Sequence, residues 1–92
     1  MSRRPYDDGE RDMMHVIGVH LRALRQAKGW SVRAAAKRAG INRVTLTAIE
    51  TGRVFPGWSI AFRLASVYGA TLASVATVVD EHFGFAPDEA AA

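Results

Sequence analysis

Apolar positions recur along this chain at intervals of three or four residues, and no stretch of strand length alternates apolar with polar. The pattern predicts helices throughout. Ile17, Leu21 and Leu24 stand at i, i+4 and i+7, and Gly29 supplies a stop, so a first helix is expected over about 13–28. Ser31 is placed to cap a short second helix, Val32–Ala39, that ends at Gly40. Asn42 caps a third that runs to Thr51 before Gly52, with only about three residues joining the two. Pro56 breaks the chain, Ile60, Leu64, Val67 and Tyr68 form the stripe of a fourth helix, and Gly69 closes it. Thr71 caps a fifth helix with Leu72, Val75, Ala76, Val79 and Phe83 facing inward. The expected fold is all-α, five helices around one small core. Residues 1–12 read as a flexible polar arm, 13–79 as the folded domain, and 80–92 as an acidic and apolar tail that frays.

Charge sharpens that division. Residues 13–79 hold nine Lys or Arg against Glu50 alone, whereas residues 80–92 hold four acids and no Lys or Arg, and 1–12 are also slightly acidic. A basic middle between acidic ends points to a polyanionic partner, most simply nucleic acid, whose phosphates release counterions on binding; the plainer alternative is a solvated basic surface. The chain of 92 residues has no Cys, which fits a reducing compartment and removes thiol chemistry and Cys-based zinc. Its longest apolar run, 72–79, falls well short of the ~20 residues a membrane span needs. The polar start shows no apolar segment of the secretory kind, so a cytoplasmic protein is expected.

Two short helices joined by a tight Gly-containing turn, inside a basic span, make a helix-turn-helix pattern. The segment "LRALRQAKGWSVRAAAKRAGINRVTLTAIETGRVFPGWSIAFRLASVYGATLASV" resembles the lambda-repressor-like helix-turn-helix family of Cro and repressor type, also called the XRE family. The resemblance covers about residues 16–76 and rests on order and spacing: Leu21-Arg22 with Leu24-Arg25, then Gly29, Ser31, Ala36, Gly40, Ile49-Glu50 before Gly52, Pro56, and Leu64-Ala65 before Gly69. It implies a compact five-helix domain whose third helix enters the DNA major groove.

Glu50 is the one acid retained within the basic span. Arg25 lies at i+8 from Ile17, on the edge of the first helix's apolar face, and Glu50 lies at i+4 from Leu46, on the inner edge of the third. Opposite charges at the margins of packed faces are costly unless paired, so a bond between them is the simplest arrangement. The resemblance implies the same pair, and leaves the guanidinium's outer edge for a phosphate. The alternative is an ordinary solvated glutamate.

With Leu46 and Ile49 inward, the opposite face of the third helix shows Arg43, Val44, Thr47 and Ala48. By resemblance, Arg43, Val44 and Ala48 match the positions that meet base edges. Arg43 has the donors for guanine O6 and N7, and Val44 and Ala48 suit thymine methyls; otherwise Arg43 is a solvated cation and Val44 a core residue. Candidate phosphate contacts are Arg25, Ser31 and Arg33 at the amino end of the second helix, Thr45, and Arg53 beyond Gly52. Many members of the family carry Gln just after the second helix's cap; Val32 stands there here, which leaves Arg33 the phosphate role rather than a base contact. Lys37, Arg38 and Arg63 read as solubilising.

Trp30 and Trp58 are expected to cover the core, since two isolated indoles make no stacking platform. His15, His20 and His82 are scattered, and Ser31 and Ser59 have no His and Asp nearby, so neither a metal site, a cofactor nor an enzymatic site is expected. Strong specificity calls for a symmetric dimer on paired half-sites, and Val78, Phe83 and Phe85 remain as apolar surplus for its interface unless they fold back onto the core. Arg3 and Arg4 are placed for a minor-groove arm, a role that Asp7, Asp8 and Glu10 weaken. The expected function is a sequence-specific DNA-binding regulator, a repressor that occupies its operator. The rival is an antitoxin or other protein-interaction module that holds a protein partner through the C-terminal tail.

Overall fold

The first helix begins earlier than its apolar stripe suggests. In the structure, a computed structural model that describes residues 5–84, α1 runs Asp8–Ala27. Its start is set by a reciprocal cap: the Asp7 carboxylate accepts from the Glu10 amide at 2.7 Å, and the Asp7 amide donates to Glu10 Oε1 at 3.0 Å. Residues 8–12 are therefore helix, which corrects the polar arm expected over 1–12. Asp8 and Glu10 also sit in the first turn, where the helix dipole favours negative charge.

The remaining helices are α2 (Val32–Ala39), α3 (Arg43–Glu50), α4 (Gly57–Val67) and α5 (Leu72–Phe83). Ser31, Asn42 and Thr71 cap α2, α3 and α5 as their sequence positions predict, accepting from Ala34 N, Val44 N and Ser74 N at 3.1, 2.7 and 3.1 Å. Gly40 ends α2 in the left-handed region at φ 69°, which turns the chain within two residues into the α3 cap and sends the Ile41 amide back to the Ala36 carbonyl at 3.0 Å. That tight turn fixes α3 relative to α2.

The core lies where residues from α1, α3, α4 and α5 converge. Leu21 of α1, Leu46 of α3 and Leu64 of α4 have no exposure, and Val75 of α5 has almost none. The inner face of α2 is Ala35, Ala36 and Ala39, so that helix sits close against α3 and α4. The α1 helix packs on α3 and α5. Its contact with α3 is unusually intimate because Gly18 has no side chain: a Cβ there would collide with the Ile49 carbonyl oxygen and come within 2.8 Å of the Glu50 carbonyl oxygen. The backbone at the end of α3 thus rests directly on α1.

Two other expectations change. The α5 helix continues to Phe83 and stops at Gly84, so residues 80–83 belong to the folded domain rather than to a tail. Trp30 is half-buried against the core, but Trp58 is 61% exposed on α4 rather than covering it. Phe85, Arg3 and Arg4 lie outside the described residues. Among the described residues, no single helix is long and apolar enough to cross a membrane, and no cluster of His, Cys, Asp or Glu is arranged to hold a metal.

Candidate nucleic-acid interface

The position of α3 is held from inside by the lone acid of the basic span. Arg25 donates to Glu50 through both edges of its fork, Nε to Oε2 at 2.7 Å and Nη2 to Oε1 at 2.9 Å. Side-chain exposures of 11% for Arg25 and 5% for Glu50 make this a largely desolvated, bidentate pair. Glu50 is thus the partner of Arg25, not a solvated charge. The third contact of Arg25, Nη1 to the Trp30 carbonyl at 2.8 Å, ties the turn after α1 into the same cluster. Hydrogen bonding to Glu50 holds the guanidinium above its ordinary pKa range, so it stays charged.

Aromatic rings close this cluster from the α4 side. Trp30 and Tyr68 are 6.0 Å apart, and the Arg38 guanidinium lies 4.4 Å above the Trp30 ring. Arg38, read from the sequence as a solubilising charge, is therefore engaged in holding α2 to the turn before it. The Tyr68 hydroxyl is buried without a partner, and burial pushes it up to about 12, with the Glu50 charge adding to the effect.

On the other side of α3 the chain forms an open groove. Its α3 wall is Arg43, Val44, Thr47 and Ala48, the four residues expected on the outward face of that helix. Its opposite wall is the amino end of α2, with Ser31 and Arg33, and Arg53 stands at the far end. Val44 is 70% exposed, which excludes the core role left open for it. Among the described residues, Arg33, Arg43 and Arg53 enter no ion pair, so three exposed cations line one concavity without an internal counter-charge. Val32 and Arg33, whose amides in the first turn of α2 have no intrahelical acceptors, both line the groove, and the amino end of that helix adds positive potential.

Not every expected contact joins this groove. Thr45 is exposed but does not line it. Arg25 is also absent from its walls, and the outer edge needed for a phosphate contact is engaged by the Trp30 carbonyl. Val32 does line it, a wall residue that sequence reasoning treated only as a departure from a pattern. Its position directly after the Ser31 cap was the available signal.

A basic concavity built from the amino end of one short helix and the outer face of the next, with a tight turn between them, defines a helix-turn-helix protein of the DNA-binding kind. The chain belongs to the helix-turn-helix domain family, whose model matches residues 16–78, in agreement with its resemblance to Cro and repressor type domains. No curated protein and no solved structure matches it.

Proposed function

We propose that this protein is a sequence-specific transcriptional regulator that acts in the cytoplasm and occupies an operator as a homodimer, with α3 in the major groove. The observation that carries this reading is the meeting of three unpaired arginines with exposed Val44 and half-buried Ala48 on one concave surface. A merely solvated basic face has no reason to gather apolar contacts for thymine methyls beside guanidinium groups. Arg43 donates to guanine O6 and N7, Val44 and Ala48 meet thymine methyls, and Thr47 bonds either base edges or the backbone. Ser31, Arg33, Arg53 and Thr45 hold phosphates and set the register without reading sequence.

Dimerisation supplies the second half-site. Val78 lines an apolar depression with Val16, Val19 and Ala23, and Val19 is 50% exposed, so the α1 and α5 side offers a surface for a second copy. Phe83, which is half-buried, ends the same helix. Repression would follow from occupancy: the bound dimer covers DNA that polymerase requires. The test is selection of bound duplexes from random DNA at a stated salt concentration, followed by binding to the winner and to scrambled DNA. The expected result is a two-fold symmetric site with half-sites about 34 Å apart. Recovery of no preferred sequence would remove the reading.

A further inference from the structure

A second concavity lies outside the basic groove and shares no residue with it. Its floor is Val75 and Ala76 of α5, its walls are Met13 and Ile17 of α1 and Val79 of α5, and Phe55 and Trp58 form its lip. The lip is ordered by an edge-to-face contact between those two rings, 6.5 Å apart. Phe62, one turn along α4 from Trp58, is 59% exposed and extends the apolar surface outward. At about 230 Å³ the concavity is smaller than the roughly 300–1,000 Å³ of small-molecule sites, so it suits inserted side chains rather than a cofactor.

The charge around it is opposite in sign to that of the basic groove. Asp80 lines it directly. Asp7 caps α1, Asp8, Glu10 and Asp12 stand on its first turns, with Asp8 also meeting Arg11 at 3.9 Å, and Glu81 follows on α5. A contact between His82 and Asp12 at 3.2 Å brings those two helix ends side by side. Within 5–12 and 80–84 there are six carboxylates and a single Lys or Arg, Arg11.

This charge selects the occupant. DNA is repelled. A second copy in a two-fold contact would bring each set of carboxylates against its twin, because such an interface pairs a patch with itself. A helix with aliphatic residues on one face and Lys or Arg on its flanks fits both features: the aliphatic side chains fill the groove, and the cations meet the rim. We infer that the groove between α1, α4 and α5 is a docking site for a basic amphipathic helix of a partner protein. The inference stands independently of DNA binding, and it gives the molecule two faces of opposite sign that are occupied at the same time.

The probe is a synthetic helix of about four turns with Leu at i, i+3, i+4 and i+7 and Lys elsewhere. Two control peptides replace Lys by Glu, or Leu by Ser. Binding to the full chain is followed by peptide anisotropy and by amide shifts of the protein. The expected result is shifts centred on Met13, Trp58 and residues 75–80, with both controls weaker by roughly tenfold or more. Ala76→Arg, which fills the floor with a cation, should reduce binding at least about tenfold, and Asp80→Lys, on the rim, should reduce it without touching the core. Unchanged helical circular dichroism and cooperative urea unfolding of both variants show that they are folded and keep this result separate from the proposed function. The inference is overturned if the Ser peptide binds as well as the Leu peptide, if the shifts lie elsewhere, or if the groove amides move with protein concentration alone, which would assign the groove to a second copy.

Discussion

The two faces of α3 stand in sharp contrast. Leu46, Ile49 and Glu50 are 0%, 1% and 8% exposed, while Val44, in the same eight-residue helix, is 70% exposed. The inner face is determined at every position, by packing, by the backbone of α1 and by a desolvated ion pair. The outer face touches nothing that depends on its identity. A helix divided this way can change what it reads without changing how it is held.

The inner face should be the easier to break. Glu50→Ala leaves the Arg25 charge partly buried, and should cost about 3 kcal/mol or more in urea unfolding. Replacing both members together by Met and Leu should recover much of that loss, since an apolar pair leaves no orphaned charge. A cost under about 1 kcal/mol for Glu50→Ala would mean that the pair is solvated.

Gly18→Ala comes next. Its Cβ meets two carbonyl oxygens, which cannot swing aside as a flexible side chain would, so α1 and α3 must separate. The expected cost is about 1–3 kcal/mol, with weaker binding to every DNA sequence because the whole outer face is displaced. Unchanged stability would show that the approach of the two helices is looser than described.

Arg43→Ala should do the reverse. Discrimination at one base pair should fall by about 1–3 kcal/mol, while stability moves by less than about 0.5 kcal/mol. Salt-sensitive background binding should remain. Equal loss on all duplexes would reassign Arg43 to a phosphate.

The smallest effect at neutral pH belongs to Tyr68→Phe, which removes a buried hydroxyl that has no partner and should be neutral or slightly stabilising. Its signature is alkaline. The folded-state pKa of Tyr68 is raised to about 12 from an ordinary value of 10.0, so its contribution is complete below pH 10 and lost as pH rises towards 12. The Phe variant should flatten that decline in an unfolding series. His20 has the opposite sense: burial lowers its pKa, so stability falls as pH drops below about 6.5.

Much of this was legible in the residue order because the signals are local. Ser31, Asn42 and Thr71 cap helices whatever the rest of the chain does, and Gly40 ends α2 for the same reason. The Arg25–Glu50 pair was legible because i+8 and i+4 placed both at the margins of apolar stripes that must face each other. What escaped depends on how helices roll against one another. Trp58 reads as a core aromatic until the rotation of α4 turns it outward, and the third bond of Arg25 needs the turn at Gly29 to bring the Trp30 carbonyl back. The start of α1 escaped for a different reason. Asp7 and Glu10 have cap spacing, but the density of acids around them reads first as an arm.

That cap has a practical consequence. A fragment trimmed to 13–79 on composition would begin inside a continuous helix, baring amides that now bond to carbonyls one turn back and discarding both the Asp7–Glu10 cap and the carboxylates that complement the dipole. Such a fragment would unwind from its cut end toward Met14 and Ile17, thinning the very layer on which the last turn of α3 is seated.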